Sequence, residues 1–246
     1  MTARITLGPY TYSCRPRWGH GAAPHPRLTA IVEAGRADYA RRLEGFAQLG
    51  PLFAAIPAQA SEDSPQPRWL NPWFTGLDAV ALVGMLKRHA PRLMIEVGSG
   101  NSTRFARHAI AALGLPTRLV SIDPEPRAGI DALCDEVVRA PAESVDPALF
   151  RRLKPGDILF IDSSHRCLQN SDVTSLFLDV LPELPPGVLV HVHDVYLPDD
   201  YPPNAEGLMY SEQYLLAALL LGGGGWLEPV MACQFVLNDP RLAPLC

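Results

Sequence analysis

The chain has 246 residues, of which 48% are hydrophobic and 19% charged, and this composition excludes wholesale disorder because it can fill a sizeable core. A formal net charge of −5 and a pI near 5.8 disfavour a nucleic-acid-binding face that follows phosphates. Five cysteines without a Cys-x-x-Cys pair, no apolar leader and no membrane-length apolar stretch favour a cytoplasmic protein without membrane or nucleic-acid partners.

The first 70 residues differ in character from the rest. Residues 1 to about 30 carry prolines among aromatic residues and predict an extended arm. Residues 28–52 have the apolar spacing of one amphipathic helix, and a proline-containing linker follows over 58–72. We therefore predict two parts: residues 1–70 as a lid or oligomer contact, and residues 71–246 as the main domain. A homo-oligomer stays open at this point.

From residue 71 onward, strand and helix patterns alternate. Helices are predicted over 78–89, 102–113, 172–181 and 211–220, with a short one near 147–153. Strands are predicted over 93–97, 118–122, 136–139, 157–161, 187–193 and 232–237. This alternation predicts an α/β fold with a doubly wound, mostly parallel sheet, and entirely apolar strands such as Ile158–Ile161 fit burial on both faces.

The most informative segment is the glycine turn that joins a strand to a helix, Gly98-Ser99-Gly100-Asn101. In an open α/β sheet, ligands bind beyond the strand ends at such turns. Glycines let the backbone approach a ligand closely, and the helix N-terminus offers free N–H groups. Tight turns also use glycine for steric reasons alone, and Asn101 also suits a helix cap.

Two carboxylates favour a ligand site here. Glu96 ends an otherwise apolar strand, where a buried charge is costly without a partner. Asp123 closes the next strand, at the position where a carboxylate binds a ribose diol. Thr103 stands where a dinucleotide fingerprint needs its third glycine, which disfavours a cofactor with a pyrophosphate.

The run Glu-Val-Gly-Ser-Gly-Asn-Ser-Thr, followed by Ile-Asp-Pro at 122–124, resembles the cofactor site of class I S-adenosylmethionine-dependent methyltransferases. Together with Asn-Pro-Trp-Phe at 71–74, it is similar to a small-molecule branch of that superfamily. The resemblance implies a seven-stranded Rossmann-like sheet in residues 71–246 that binds S-adenosyl-L-methionine. It implies cofactor contacts from Glu96, Gly98, Ser99, Gly100, Asn101, Asp123 and Asp162.

Polar side chains also follow two further strands. Asp162-Ser163-Ser164-His165 comes directly after the strand at 157–161, and His191-Val192-His193-Asp194 ends the strand at 187–193. Because parallel strands end at one edge of a sheet, we expect these groups to meet beside the glycine turn. Converging titratable groups need partners, since each costs desolvation.

A divalent metal is one physical reason for this convergence. Asp162, His193 and Asp194 offer two carboxylates and an imidazole, a set that suits Mg²⁺ or Mn²⁺ and that iron or zinc would also accept. Such a cation would lower the pKa of an acceptor hydroxyl, with His165 as general base. The arrangement resembles metal-dependent O-methyltransferases, including those acting on sugars in natural-product pathways, although His193 departs from their usual ligand pair.

Structural roles are the alternatives for the same residues. Asp162 also suits a helix cap, His165 a loop histidine that bonds backbone, and Asp194 a turn cap. The proline-rich run 195–203 is too long for a tight connection, so we assign Tyr196 and Tyr201, with Trp73, to the acceptor pocket. A rigid surface loop is equally compatible with that run.

The sequence therefore predicts methyl transfer from S-adenosyl-L-methionine to an oxygen of a small polar acceptor. Asp162 and His165 are the predicted catalytic residues, with Mg²⁺ or Mn²⁺ as the metal. Two other functions stay open: a nicotinamide-dependent oxidoreductase on a Rossmann sheet, and a non-catalytic protein that keeps the cofactor fold.

Overall fold

The computed structural model describes residues 4–7, 10–74, 76–126, 129–223 and 225–246. The strands are β1 (Arg4–Leu7), β2 (Tyr10–Ser13), β3 (Leu93–Val97), β4 (Arg118–Ile122), β5 (Glu136–Val138), β6 (Ile158–Ile161) and β7 (Leu189–Val192). The α-helices are α1 (Pro26–Glu33), α2 (Arg36–Ala47), α3 (Gly50–Ala54), α4 (Gly76–His89), α5 (Asn101–Leu113), α6 (Asp172–Ser175), α7 (Glu212–Gly222) and α8 (Cys233–Asn238). None of the helices in these ranges is long and apolar enough to cross a membrane.

Five strands form one parallel sheet in the order β5-β4-β3-β6-β7. The chain moves outward from β3 through β4 to β5 and then returns to the other side of β3 for β6 and β7. This reversal creates a switch point between β3 and β6, where Val97 pairs with Ile161. The α/β, parallel part of the prediction is confirmed, but the described sheet has five strands, not the seven that the resemblance implies.

Both faces of the sheet are buried, as entirely apolar strands require. Alternate residues of β3 point to opposite sides: Met94 joins a core cluster with α4 and α5, whereas Ile95 and Val97 join a cluster with residues of α6 and α7. Phe160 and Leu159 of β6 divide in the same way. The sheet thus fixes the ends of β3 and β6 rigidly between two helical layers.

Three helices replace the single one expected over 28–52. Gly35 precedes α2, and a side chain there would run into the ring of Tyr39, with 2.5 Å to its Cζ. Pro51, which has no N–H to donate, starts α3 instead of continuing α2. Buried residues of α2 pack on α4 and α8. The division at residue 70 stays a prediction.

The N-terminal arm is partly structured. Residues 4–7 pair with 10–13 in an antiparallel hairpin. The segment that follows is tied to the loop after β7: the Asp200 carboxylate accepts the backbone N–H of Arg17 and of Trp18, and His25 N–H donates to Pro198 O.

Three element predictions differ from the structure. The predicted strand 232–237 is helix α8, because neighbouring Phe235 and Val236 both face the core, whereas a strand would alternate them. Near 147–153 only one 3₁₀ turn forms, at Phe150–Arg152. The helix predicted over 172–181 starts as α6 and then continues in π-helical and 3₁₀ form to Glu183, with Pro182 in its last turn.

Candidate active site

A cavity of about 500 Å³ opens at the switch point. Its walls come from the ends of β3, β4, β6 and β7 and the loops that follow them. The lining residues that sequence analysis selected are Trp73, Gly98, Ser99, Gly100, Asn101, Asp123, Asp162, His165 and Asp194. The ends of the parallel strands thus place the glycine turn, Asp123, Asp162, His165 and Asp194 around one cavity.

The glycine turn lies directly against the loop after β6. Gly98 has φ +78°, and a Cβ built on it would come 1.8 Å from the backbone oxygen of Asp162. Gly100 has φ 169°, an extended backbone, and a Cβ there would meet open space. Gly98 is therefore required for the close approach of the two loops, whereas Gly100 is not.

Asp123 organises the turn from the neighbouring strand. Its Oδ2 accepts the backbone N–H of Ser99 at 2.8 Å and the Ser99 hydroxyl at 3.1 Å. Its Oδ1 accepts the N–H of Glu125 at 2.8 Å. The carboxylate also lines the cavity, so it both braces the turn and faces a ligand.

Glu96 does not line the cavity but supports the turn from beneath. It is fully buried, and the Thr103 hydroxyl donates to its Oε2 while accepting the N–H of Gly100. Burial raises the pKa of Glu96 to about 8, against the lowering effect of the Ser102 and Thr103 hydroxyls. The side chain is therefore protonated at neutral pH, and Thr103 serves this bracing in place of a third glycine.

Acids and imidazoles alternate across the site. Asp162 Oδ1 lies 3.2 Å from His165 Nε2 and 3.2 Å from His193 Nδ1. On the outer side, His165 Nδ1 lies 2.9 Å from Glu212 Oε2, and His193 Nε2 lies 3.7 Å from Asp78 Oδ2. This row of five groups places one carboxylate, Asp162, between the two imidazoles and one carboxylate at each end.

The neighbouring carboxylates favour the charged form of both imidazoles. Burial acts to lower the pKa of His165, but hydrogen bonds to Asp162 and Glu212 raise it to about 9. The pKa of His193 is raised well above its usual value against the same effect of burial, by Asp162 and Asp78. As a general base, His165 must first lose its proton. Sequence analysis did not anticipate this state.

The structure groups a set of possible metal ligands that differs from the predicted set in one residue. In the part of the chain that the structure describes, the three residues whose ligand atoms all lie within 4.8 Å of one another are Asp162, His165 and Asp194. His193 contacts the same two carboxylates, with its Nδ1 3.8 Å from Asp194 Oδ1. His165 thus occupies the position in the group that the sequence analysis gives to His193.

Of the three residues predicted for the acceptor pocket, one lines the cavity and two do not. Trp73 lines the cavity and is 58% exposed. Tyr196 and Tyr201 do not line this cavity: Tyr201 is buried, its hydroxyl accepts the N–H of Gln213, and the ring packs against Tyr196. The cavity-lining tyrosine is Tyr210, whose ring lies 4.5 Å from that of His165.

Sequence reasoning missed the two carboxylates at the ends of the row. Glu212 starts α7, where an acidic residue ordinarily indicates a helix first turn, and Asp78 likewise lies in the first turn of α4. Their contacts bridge 47 residues for Glu212 and His165 and 115 for Asp78 and His193, so no local pattern reveals them.

The cavity is strongly acidic. Seven carboxylates line it: Glu62, Asp123, Glu125, Glu143, Asp162, Asp172 and Asp194. Arg104 is the one lysine or arginine among the described lining residues, and its guanidinium already donates to Glu62 O and Asn101 Oδ1. Such a cavity favours a cationic ligand and repels an anionic one.

One protein-family model matches part of the chain. Residues 95–195 match the family model described as a methyltransferase domain, a segment that runs from β3 to just beyond Asp194. This match, over less than half of the chain, supports a class I methyltransferase. No curated protein matches the chain.

A distant similarity links the chain to one solved structure among those that match. It is a protein-L-isoaspartate O-methyltransferase from Plasmodium falciparum in complex with S-adenosyl-L-homocysteine, at 12% identity over 70% of this chain and 86% of that one, with a TM-score of 0.33. So distant a likeness carries no conclusion about function.

Proposed function

We propose that the chain transfers a methyl group from S-adenosylmethionine to an oxygen of a small polar acceptor, assisted by a divalent cation. The observation that carries the proposal is the acidic cavity at the switch point, with its glycine turn. Its seven carboxylates suit the sulfonium and ammonium charges of S-adenosylmethionine, whereas the pyrophosphate of a nicotinamide cofactor would be repelled.

The residues present fit the cofactor. Gly98 and Gly100 both line the cavity, with open space where a side chain on Gly100 would lie, and Asp123 offers a carboxylate to the ribose diol. Glu96 acts indirectly, because it holds Thr103 and through it the N–H of Gly100. When bound, S-adenosylmethionine supplies a methyl group on a positively charged sulfur.

The donor set also fits a divalent cation. Asp162 and Asp194 supply carboxylate oxygens and either His193 or His165 supplies an imidazole nitrogen. When bound, such a cation would lower the pKa of an acceptor hydroxyl. We assign His193 as the imidazole ligand, which leaves His165 free for the proton.

In the proposed reaction the acceptor oxygen attacks the methyl carbon while the bond from that carbon to sulfur breaks. His165 first loses to solvent the proton that its raised pKa favours, and the hydroxyl proton then passes to Nε2 of the neutral imidazole, the nitrogen that faces Asp162 and the cavity. The products are a methyl ether, neutral S-adenosylhomocysteine and a protonated His165. Because His165 lies beside Asp162 and Glu212, the charge that it gains is stabilised.

Transfer of a labelled methyl group tests the proposal. The protein is incubated with trideuteromethyl-labelled S-adenosylmethionine and a panel of small hydroxylated compounds, and products are read by mass spectrometry. We expect a labelled methyl ether from at least one compound, loss of transfer in EDTA and recovery with Mg²⁺ or Mn²⁺. Full transfer in EDTA would remove the cation from the proposal, and label on nitrogen or carbon alone would contradict oxygen transfer.

Variants of the two histidines separate their roles. His165→Ala should lower turnover about 10²–10⁴-fold, the usual effect of losing a general base, without changing Mn²⁺ affinity. His193→Ala should weaken Mn²⁺ binding in a calorimetric titration. The reverse pattern, with Mn²⁺ affinity lost in His165→Ala alone, would make His165 the ligand and overturn its assignment as base.

A further inference from the structure

We propose that Glu212 is a positioning residue, which fixes the imidazole of His165 so that Nε2 faces the cavity. This rests on the proposed function only in giving His165 its part in the reaction. Glu212 lies outside the cavity lining, and its side chain bonds His165, so its effect on the site passes through His165.

The start of α7 holds His165 at two points. The backbone oxygen of His165 accepts the N–H of Ser211 at 2.8 Å and that of Glu212 at 3.1 Å. The Glu212 carboxylate then contacts the ring of the same residue, with 2.9 Å between Oε2 and Nδ1. His165 has φ +58°, a left-handed conformation that non-glycine residues rarely adopt, and these contacts maintain it.

The burial of Glu212 indicates that this contact is its main role. The side chain is 0% exposed, and its Oε1 has no hydrogen-bond partner among the described residues. Removing a carboxylate from water costs free energy that one hydrogen bond only partly offsets, so an apolar residue would stabilise this helix start as well or better. A first-turn acid that served only the helix dipole would not need burial.

The contact with Glu212 determines which ring nitrogen of His165 faces the cavity. With Nδ1 committed to Glu212, Nε2 lies 3.2 Å from Asp162 Oδ1 and 3.7 Å from Asp194 Oδ2. A half-turn of the ring about the Cβ–Cγ bond would put Cδ2 in the place of Nδ1 and Cε1 in the place of Nε2, so that carbons would face both Glu212 and the cavity carboxylates. Glu212 opposes that turn because it would lose its one described partner.

Proton NMR of the ¹⁵N-labelled protein tests the orientation without any substrate. We expect a slowly exchanging, strongly downfield Hδ1 resonance, assigned to His165 by its absence in His165→Ala. Glu212→Ala should abolish that resonance, and Glu212→Gln, which keeps a neutral acceptor and the side-chain shape, should retain it at a smaller downfield shift. An unchanged resonance in both variants would overturn the proposal, and Glu212→Gln decides if the alanine variant does not fold.

Gln213→Ala is the matched control. Gln213 is equally buried in the same turn but bonds Tyr196 N–H and Asp199 O instead of His165. The Gln213→Ala substitution should lower the melting temperature and leave the His165 resonance unchanged. Loss of the resonance in this control would assign the effect to general loosening of α7 and contradict a specific role for Glu212.

A double-mutant cycle connects the orientation to turnover. Glu212→Gln should lower kcat about 10–100-fold, with S-adenosylhomocysteine affinity and KM little changed. In the His165→Ala background the same change should have no further effect, because a positioning residue acts only through its partner. Equal losses in both backgrounds would indicate a merely structural residue. If S-adenosylhomocysteine does not bind at all, the proposed function fails while the NMR result still stands.

Discussion

The backbone oxygen of Asp162 occupies the space that a side chain on Gly98 would need, since a Cβ there would lie 1.8 Å from it. These residues follow β3 and β6, the two strands on either side of the switch point. The cofactor turn and the catalytic loop are therefore packed against each other without an intervening side chain. A substitution in the cofactor turn should therefore affect the catalytic loop, and the reverse.

Gly98→Ala should both destabilise the protein and weaken S-adenosylhomocysteine binding. The positive φ alone costs about 1–3 kcal/mol for a residue with a Cβ, and the contact with Asp162 adds to it. Urea unfolding and calorimetric titration measure the two effects. Gly100→Ala is the control, because its extended φ and open surroundings predict unchanged unfolding. Equal unfolding midpoints for the two variants would contradict the close packing of the loops.

Asp123→Asn should weaken S-adenosylhomocysteine binding about 10–150-fold, because hydrogen bonds to a charged group are worth roughly 1.5–3 kcal/mol. The asparagine oxygen can still accept from Ser99, so the turn should persist, while the amide nitrogen cannot accept the N–H of Glu125 and the melting temperature should fall slightly. Asp131→Asn, in the same β4–β5 connection but paired with Arg139 outside the cavity lining, is the control. Equal affinity in the two variants would reject the ribose assignment.

The sequence predicts the site well wherever strand ends define it. The positions of Gly98, Asp123, Asp162 and Asp194 follow from their places after parallel strands, which all end at one edge. Glu212 could not be predicted, because only the tertiary fold brings the start of α7 to the loop after β6. An acidic residue in the first turn of a helix is common, so the position of Glu212 in the sequence does not indicate a role in the site.

The errors in the fold have physical causes. Residues 232–237 form a short apolar run with few β-branched side chains, and such a run suits a buried helix as well as a strand. The expectation of seven sheet strands came from the resemblance alone, and periodicity had indicated six. The raised pKa of His165 depends on Glu212 as well as on the nearby Asp162, and Glu212 lies 47 residues away on α7, so composition and spacing could not indicate it.

The free energy of unfolding should fall as pH rises through the range in which Glu96 is protonated in the folded protein but ionised in the unfolded chain. Burial raises its pKa to about 8 in the folded protein, so the unfolded chain loses this proton at lower pH. The group therefore contributes stability below its ordinary pKa that is progressively lost up to about pH 8, on the order of a few kcal/mol. Urea unfolding at pH 5 and pH 8 measures the difference. Glu96→Gln, which imitates the protonated acid, should reduce it; an unchanged pH dependence in that variant would assign it to other groups.

The proposed function requires that the acidic cavity binds S-adenosylmethionine. Calorimetric titration of the purified protein with S-adenosylmethionine, S-adenosylhomocysteine and NAD, each with and without Mg²⁺, tests it most directly. We predict saturable binding of the first two with one site per chain and no binding of NAD. Tighter binding of NAD than of either sulfur compound, or no binding of both sulfur compounds by folded protein, would contradict the account.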